Sequence, residues 1–139
     1  MTTSKELPQA IWDQMRDLVL DDDRRREVER ATGLSFWRAR SLRRIAQGDL
    51  RMSDLARVIG VSAPQATVLV DVLEERGLVR RIVDPRDARV KIVRTTAKGR
   101  RVADTISAVL RRPPDTMASL TTTERRTLLE LLHRLSPES

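Results

Sequence analysis

The chain has 139 residues, of which 27 are Lys or Arg and 20 are Asp or Glu, so it carries a formal net charge of +7. This length suits one domain, with or without dimerisation elements, and is too short for a Rossmann oxidoreductase, a TIM barrel or a protein kinase. The absence of cysteine excludes disulfides, thiol nucleophiles and thiolate metal sites, and the single histidine, His133, excludes a histidine-rich metal centre.

The excess positive charge is confined to one segment. Residues 79–101 contain nine basic and two acidic side chains, which accounts for the whole net charge, whereas basic and acidic residues balance elsewhere. A compact basic stretch in an otherwise neutral chain is typical of a surface that binds a polyanion. Because only three residues are aromatic, an RNA-binding platform of stacked aromatic rings is not expected.

The amino-terminal segment and the apolar runs predict a soluble, cytoplasmic protein. No run of about 18 apolar residues occurs, so no membrane partner is expected, and residues 1–6 lack the apolar core of a signal peptide. The sequence contains no glycine-rich phosphate loop and no identifiable nucleophile–base pair. We therefore expect neither an enzyme nor a cofactor.

The first predicted helix spans Leu7–Ala31, because apolar residues recur at helical spacing and Asp residues precede Arg residues by three or four positions. Thr32-Gly33 ends this helix. Ser35 is a candidate N-cap for a second helix, which Gly48-Asp49 terminates. The side chains expected to face inward from the second helix are Phe36, Ala39, Leu42 and Ile45.

Residues 52–77 combine a short helix, a turn containing glycine and a longer helix. We expect Ser53 to cap the short helix and Gly60 to end it. The sequence Ser62-Ala63-Pro64-Gln65 is a capping box with proline in the first turn, and it starts the longer helix, which runs to Arg76. This order is typical of a helix-turn-helix motif, whose second helix is the recognition helix that contacts base edges.

The exposed face near the start of the recognition helix provides the candidate base contacts. A glutamine can bond adenine, and the methyl group of a threonine or valine can pack against thymine. The residues predicted to bind DNA from this helix are Ser62, Pro64, Gln65, Thr67 and Val68.

The sequence pattern then changes to short β-branched runs, which predicts a hairpin with strands at Leu78–Val83 and Val90–Thr95 and a charged turn. Arg86 and Arg89 at this tip suit the minor groove, where narrow A·T tracts concentrate negative potential. Asp87 is expected to orient one of these arginines by a charge-assisted hydrogen bond. The strand residues that could meet the phosphate backbone are Arg80, Arg81, Lys91 and Arg94.

Two further helices are predicted after the hairpin. Thr96 can cap a helix over Ala97–Arg112, which Pro113-Pro114 ends, and Thr121-Thr122-Thr123-Glu124 is a second capping box that opens a leucine-rich helix. Leucine stripes usually belong to a core, but a chain this short has little spare core to cover them, which favours a dimer interface. The candidate interface residues are Leu7, Ile11, Leu128, Leu131, Leu132 and Leu135.

From about Leu34 to Arg101 the chain resembles the multiple-antibiotic-resistance-regulator (MarR) family of winged-helix repressors. The strongest segments are Leu73–Arg81, Asp84–Arg89 and Thr95–Gly99, which follow each other in the order and at the spacing of that family. The fold class expected is α+β, mainly α: a winged helix-turn-helix with flanking helices that form a homodimerisation region.

The resemblance implies that the helices flanking the winged helix interlock between two chains, so that each chain offers one winged helix to a palindromic site. The division expected from this is an N-terminal dimerisation helix at residues 1–33, a DNA-binding domain at residues 34–96 and C-terminal dimerisation helices at residues 97–139.

The chain departs from the family pattern in two places. The wing has Asp87-Ala88-Arg89 where the family usually has Asp-Arg-Arg, and it retains the second arginine, which the resemblance assigns to the minor groove. The recognition helix has Val68 where the family often has arginine, and it contains no basic residue before Arg76. We therefore expect affinity for DNA to depend more on the wing and strands than on this helix.

These features predict a transcriptional regulator, and most often a repressor in this family, that binds double-stranded DNA as a homodimer. The resemblance also implies a small aromatic effector, for which Trp12 and Trp37 are candidate contacts, although the residues alone favour the interpretation that both indoles are partly buried packing residues. The alternative function is an effector-independent or architectural DNA-binding protein that uses the same winged helix.

Overall fold

The computed structural model describes residues 1–19 and 21–136. Within these residues the chain forms α-helices, a small antiparallel sheet and one short 3-10 helix at Asp115–Ser119. In chain order the elements are α1 (Leu7–Val19), α2 (Asp22–Thr32), α3 (Phe36–Ile45), β1 (Leu50–Arg51), α4 (Met52–Ile59), α5 (Ala63–Glu75), β2 (Val79–Asp84), β3 (Asp87–Thr95), α6 (Ala97–Arg111) and α7 (Thr122–Leu135). This mainly α architecture with a winged helix confirms the predicted fold class.

The first predicted helix is in fact two helices, so the expectation of one helix over Leu7–Ala31 was wrong. Asp21 is the N-cap of α2, and its carboxylate accepts a hydrogen bond of 2.9 Å from the backbone N–H of Asp23. Asp side chains compete for nearby backbone N–H groups and favour the positive end of the helix dipole, so the acidic run begins a helix instead of continuing one. Leu20 lies outside the described residues.

One hydrophobic core joins α2 through α6 and the sheet. Val28 of α2, Leu55 of α4 and Ile106 of α6 are fully buried in it. The predicted N-cap of α3 is confirmed, since the Ser35 hydroxyl accepts a hydrogen bond of 3.4 Å from the backbone N–H of Arg38. The inward residues predicted for α3 are buried at Ala39, Leu42 and Ile45 and half-buried at Phe36.

The short helix α4 begins two residues earlier than expected, directly after a strand. Ser53 therefore lies inside the helix and is not its cap, while Arg51 occupies the N-cap position without a capping hydrogen bond from its side chain. The reason is β1, which pairs with Val93 and Ile92 of β3 and holds the backbone extended up to the start of the helix. The predicted end is confirmed, because Gly60 adopts a left-handed conformation with φ 82°.

The sheet has the order β1-β3-β2, and its hairpin is tighter than the sequence suggested. Only Pro85 and Arg86 lie between the strands, whereas a six-residue turn was predicted. Asp84 closes the turn, because its buried carboxylate accepts a hydrogen bond of 2.9 Å from the backbone N–H of Arg86 and lies 3.6 Å from the guanidinium of Arg51. We call this hairpin, residues 79–95, the wing.

The helix α6 is docked tightly against the start of the wing. Thr96 caps it, as predicted, by accepting a hydrogen bond of 3.0 Å from the backbone N–H of Gly99, and its own hydroxyl donates to the carbonyl of Gly77 at 2.6 Å. A Cβ atom placed on Gly99 would lie only 1.9 Å from the carbonyl oxygen of Leu78. Glycine is therefore required for this close approach of helix and strand.

The helices α1 and α7 are amphipathic, yet none of their described residues is buried. Thr121 and Glu124 form the predicted capping box at the start of α7. The large apolar side chains that these helices leave exposed include Leu7, Ile11, Trp12, Leu128, Leu129, Leu131 and Leu135. Their apolar faces line a shared groove, so the two helices lie side by side without a cover from the rest of the described chain.

Within residues 1–19 and 21–136, no single helix is long and apolar enough to cross a membrane; α4 and α5 reach that length and composition only together, and they are bent by 104° between them. The same residues contain no group of three His, Asp or Glu side chains placed to hold a metal ion.

Candidate nucleic-acid interface

The start of α5 is held by the predicted capping box. The Ser62 hydroxyl oxygen accepts a hydrogen bond of 3.3 Å from the backbone N–H of Gln65. In return, Oε1 of Gln65 accepts hydrogen bonds from the backbone N–H of Ser62 at 3.0 Å and from its hydroxyl at 3.1 Å. Pro64 occupies the first turn, where no backbone N–H is needed. The buried face that fixes the helix on the core consists of Ala66, Leu69, Val70 and Leu73.

The predicted base-contacting side chains are all exposed on α5. Gln65, Thr67 and Val68 face away from the core, and the Val68 side chain is 55% exposed. The carboxamide oxygen of Gln65 is already bonded twice, so only its Nε2 amide remains to donate to a base. The hydroxyl of Thr67 donates to the carbonyl of Ala63 at 3.1 Å, which leaves its methyl group and lone pairs outward.

The second half of the same helix is acidic. Asp71 and Glu75 follow Pro64 and Val68 at spacings of three and four residues, so these four residues form one ridge along the exposed face. Glu74 adds a third carboxylate beside that ridge, and α5 has no basic residue. Positive charge for a polyanion must therefore come from outside this helix.

The tip of the wing presents two arginines to solvent. The side chain of Arg89 is 90% exposed, and Asp87 accepts hydrogen bonds from its Nε at 3.1 Å and from its backbone N–H at 3.0 Å. These bonds, led by the one from the guanidinium, hold the pKa of Asp87 below its ordinary value. The predicted orienting bond is thus present, and it reaches Arg89. Among the described residues Arg86 has no ion pair, and its side chain is exposed.

The strand cations lie on opposite faces of the wing. Val93 is buried on the face that packs on the helices. The register pairs Arg81 with Val93 and Lys91 with Val83, so both of these cations lie on that same face. Arg80 pairs across the strands with Arg94 on the other face. The strand arginines and lysine predicted as one set are therefore divided between two surfaces.

Two of these arginines are engaged within the protein. Arg94 forms a bidentate pair with Asp49, with Nη2 to Oδ2 at 2.7 Å, and this pair lowers the pKa of Asp49 and raises that of Arg94. Arg81 pairs with both Asp71 and Glu74 of α5. Sequence spacing did not reveal the second pairing, although two carboxylates three residues apart on one helix face were a usable signal for a shared cation.

The two tryptophans line separate cavities. Trp12 lies in an apolar groove of 710 Å³ between α1 and α7, and no charged side chain lines it among residues 1–19 and 21–136. Trp37 lies in a pocket of 260 Å³ with Arg40 and Arg44, which are one turn apart on α3. Of the two cavities, as the described residues line them, the Trp37 pocket is the one that combines an indole with arginines, which the predicted ligand site requires.

Comparison with known proteins finds a family model and relatives described as transcriptional regulators. Residues 32–90 match the model of the MarR family. A protein of Bacillus subtilis (strain 168), YdgJ, described as an uncharacterized HTH-type transcriptional regulator, is 30% identical over 111 residues, which are 78% of this chain and 68% of YdgJ.

Solved structures of transcriptional regulators match the fold over nearly the whole chain. The transcriptional regulator BldR from Sulfolobus solfataricus has a TM-score of 0.65 and 27% identity over 96% of this chain and 97% of BldR. Apo MarR from E. coli has a TM-score of 0.69 and 22% identity over 99% and 98% of the two chains. MepR from Staphylococcus aureus has a TM-score of 0.70 and 19% identity over 96% of each chain. The protein therefore belongs to the MarR family of transcriptional regulators, and its fold is the DNA-binding winged helix of that family and not that of an enzyme.

Proposed function

We propose that the protein is a repressor that binds a palindromic operator as a homodimer. The observation that carries the proposal is the uncovered apolar surface of α1 and α7, which stands beside a complete winged helix. Exposed apolar patches of this kind mark interaction sites, and a second copy offers an equally apolar surface to close them. Since a closed dimer has two-fold symmetry, its two winged helices would meet an inverted repeat.

The proposed interface residues are those predicted from the sequence. Leu7, Ile11, Leu128, Leu131 and Leu135 are exposed in the single chain, and Leu132 lines the groove between α1 and α7. We accordingly propose residues 1–33 and 97–139 as the dimerisation regions and residues 34–96 as the DNA-binding region. One hydrophobic core contains residues from all three regions. Dimerisation would therefore set the position of each winged helix.

The proposed DNA contacts divide between the grooves. The start of α5, from Ser62 to Val68, enters the major groove, where Gln65 donates to a base and the methyl groups pack against thymine. Arg89 and Arg86 at the wing tip enter the minor groove, and Lys91 and Arg80 neutralise phosphates. An operator lies on the chromosome, so the proposal implies a cytoplasmic protein.

Selection of bound sequences from random DNA, followed by selection from genomic fragments, tests this function. The enriched sequences should share an inverted repeat whose half-site centres are about one helical turn apart. Binding without an enriched sequence, or enrichment of an isolated half-site, would contradict the proposal.

We propose a small aromatic acid as effector and the Trp37 pocket as its site. The indole can stack on an aromatic ring, and Arg40 or Arg44 can bind its carboxylate. A ligand that binds one dimer geometry better than the other would change the spacing of the recognition helices and hence the affinity for DNA.

Tryptophan fluorescence tests the effector, with salicylate as the probe and two matched variants. Trp12→Phe leaves Trp37 as the only indole and should retain the saturable change, whereas Trp37→Phe should lose it. A flat titration of the Trp12→Phe variant would rule out salicylate at this pocket.

A second candidate function is effector-independent or architectural DNA binding. The observation that favours it is the recognition helix, whose exposed face carries no cation and whose second half is acidic. This second function predicts that the selection experiment yields bound DNA without a sequence consensus and that salicylate has no effect.

A further inference from the structure

We infer that Arg81 acts on DNA affinity through Asp71 and Glu74: it is a positioning residue that neutralises the acidic side of the recognition helix, and it is not a phosphate contact. This inference rests on the proposed DNA-binding function. It also revises the role that the sequence suggested for Arg81, which was grouped with the other strand cations.

The guanidinium of Arg81 is enclosed by acceptors of α5. Its Nη1 donates to Oε1 of Glu74 at 2.9 Å, and its Nη2 donates to Oδ1 of Asp71 and lies 3.5 Å from the carbonyl oxygen of Thr67. The backbone N–H of Arg81 also donates to Oε2 of Glu74, at 2.9 Å. Both carboxylates are therefore bonded to one residue of β2, which ties the wing to the helix.

The exposure of Arg81 separates it from the cations that are free to meet DNA. Its side chain is 23% exposed, compared with 90% for Arg89 at the wing tip. A phosphate contact would require Arg81 to leave two carboxylates, which would then face the same phosphate unpaired. The exchange would bring two negative charges close to a third.

The charge of α5 explains why such a residue is needed. Asp71 is 61% exposed and lies on the same ridge as Val68, the side chain proposed to meet thymine. The helix carries three carboxylates and no cation, so an unpaired α5 would repel the phosphates that flank the major groove. Arg81 pairs with two of these carboxylates, and the third, Glu75, has no ion pair with any residue that the structure describes.

A double-mutant cycle tests the inference, with DNA binding of the full chain measured on the selected operator by fluorescence anisotropy. Arg81→Gln should weaken binding at least tenfold in the wild-type background, because it leaves Asp71 and Glu74 unneutralised. In the Asp71→Asn/Glu74→Gln background the same substitution should change the Kd by less than about threefold. A cost of Arg81→Gln that is as large in the neutralised background as in the wild type would overturn the inference.

The salt dependence in the neutralised background gives a second readout. A lost phosphate contact reduces the slope of log K against log salt by about 0.9 per chain, whereas loss of a neutralising residue should leave that slope unchanged once its carboxylates are gone. Arg89→Ala is the matched control, and it should reduce the slope equally in both backgrounds. If Arg89→Ala has no effect in either background, the assignment of Arg89 to the DNA surface is wrong, whereas a selection that yields no inverted repeat contradicts the proposed function; both outcomes are distinct from failure of the inference.

Folding of each variant is checked by circular dichroism before binding is measured. Arg81→Lys separates charge from stability, because it retains a cation near both carboxylates while losing the planar guanidinium that bridges them. It should bind DNA more tightly than Arg81→Gln even where the two variants have equal unfolding temperatures. Equal binding by Arg81→Lys and Arg81→Gln would show that charge neutralisation is not the role of Arg81.

Discussion

At the scale of single residues, the two halves of the proposed DNA surface differ in how they carry charge. The recognition helix offers polar and methyl groups with no cation, while the wing tip offers Arg89, oriented by Asp87 and almost fully exposed. Nearly all the electrostatic attraction of one chain for DNA should therefore come from Lys91 and a few arginines that contribute little to the fold. Such residues can be replaced without loss of stability, which makes their role directly measurable.

Replacing Arg89 by Ala should weaken operator binding and flatten its salt dependence. The expected change in the slope of log K against log salt is about 0.9 per chain, because one phosphate-proximal charge is lost. Arg26→Ala is a matched control, since Arg26 is also an exposed arginine paired with a neighbouring Asp, but it lies on α2. Anisotropy titrations at several salt concentrations check this, and an Arg89→Ala slope equal to that of Arg26→Ala would refute the assignment.

Gln65→Glu separates helix capping from base contact at one position. A glutamate can still accept both hydrogen bonds from Ser62, as in other capping boxes, but it lacks the Nε2 donor. The unfolding temperature should therefore stay close to that of the wild type, while selection from random DNA should lose the preference at one base pair of each half-site. Retention of that preference would show that Gln65 does not contact a base.

The capping boxes at Ser62 and Thr121 were predictable because their bonds are local, within three residues. The carboxylates Asp71 and Glu74 signalled a shared cation, but not which one, since Arg81 lies ten and seven residues away and meets them only when the wing folds back on α5. The enclosed Asp84 was missed for the same reason: its ion pair with Arg51 joins strands that are distant in sequence. Hydrogen bonds within a few residues could be predicted from the sequence. Ion pairs between elements could not, because they depend on how the strands and helices are placed in the fold.

At the scale of elements, the wing and α6 are held together by a close backbone approach at Gly99. The predicted order of helix, turn, helix, hairpin and helix follows from local periodicity and caps, so most elements were predictable. The break before α2 and the short strand β1 were not, because a two-residue strand exists only through its pairing with β3. Element ends that depend on a distant partner are the ones that sequence patterns misplace.

Gly99→Ala should destabilise the protein by about 1–3 kcal/mol or more, because its Cβ would overlap the carbonyl oxygen of Leu78 and backbone would have to move. Gly48→Ala is the matched control: nothing lies within 4 Å of a Cβ there, and its φ is not left-handed. That variant should be as stable as the wild type or slightly more so. Urea unfolding measures both free energies, and equal values for the two variants would contradict the docking described for α6.

Glu27 and Arg112 join α2 to the end of α6, and their pairing should make stability depend on acid pH. The guanidinium of Arg112 donates to Oε1 of Glu27 at 3.0 Å, and this bond is the main cause that lowers the pKa of Glu27. A carboxyl with a depressed folded pKa stabilises above its unfolded pKa, about 4.3, and loses that contribution as the pH falls through the folded value.

The difference in unfolding free energy between wild type and Glu27→Gln should therefore be largest near neutral pH and shrink towards about pH 3. Urea unfolding at a series of pH values measures it. A difference that is independent of pH would mean that ionisation of Glu27 does not stabilise the fold.

At the scale of the whole molecule, most of the large apolar side chains that are exposed among the described residues lie on α1 and α7. The core from α2 to α6 is closed, while α1 and α7 leave apolar residues such as Ile11 and Leu131 exposed. The sequence favoured an interface over a core for the leucine stripe, and the exposure of these residues in the single chain is consistent with it. A dimer closed through this surface would fix the separation of the two recognition helices.

The central claim is that the dimer fixes the separation of its two recognition helices. Binding to duplexes that differ in the spacing of their half-sites tests it most directly. Three duplexes of equal length would carry the selected inverted repeat, the same repeat with five base pairs inserted at its centre, and one half-site alone. Five base pairs rotate one half-site by about half a helical turn, so the symmetric dimer can no longer reach both. We expect the inserted duplex to bind no better than the single half-site, and both at least tenfold more weakly than the intact repeat. Equal affinity for the intact and inserted repeats would contradict the account of a dimer that reads a palindrome.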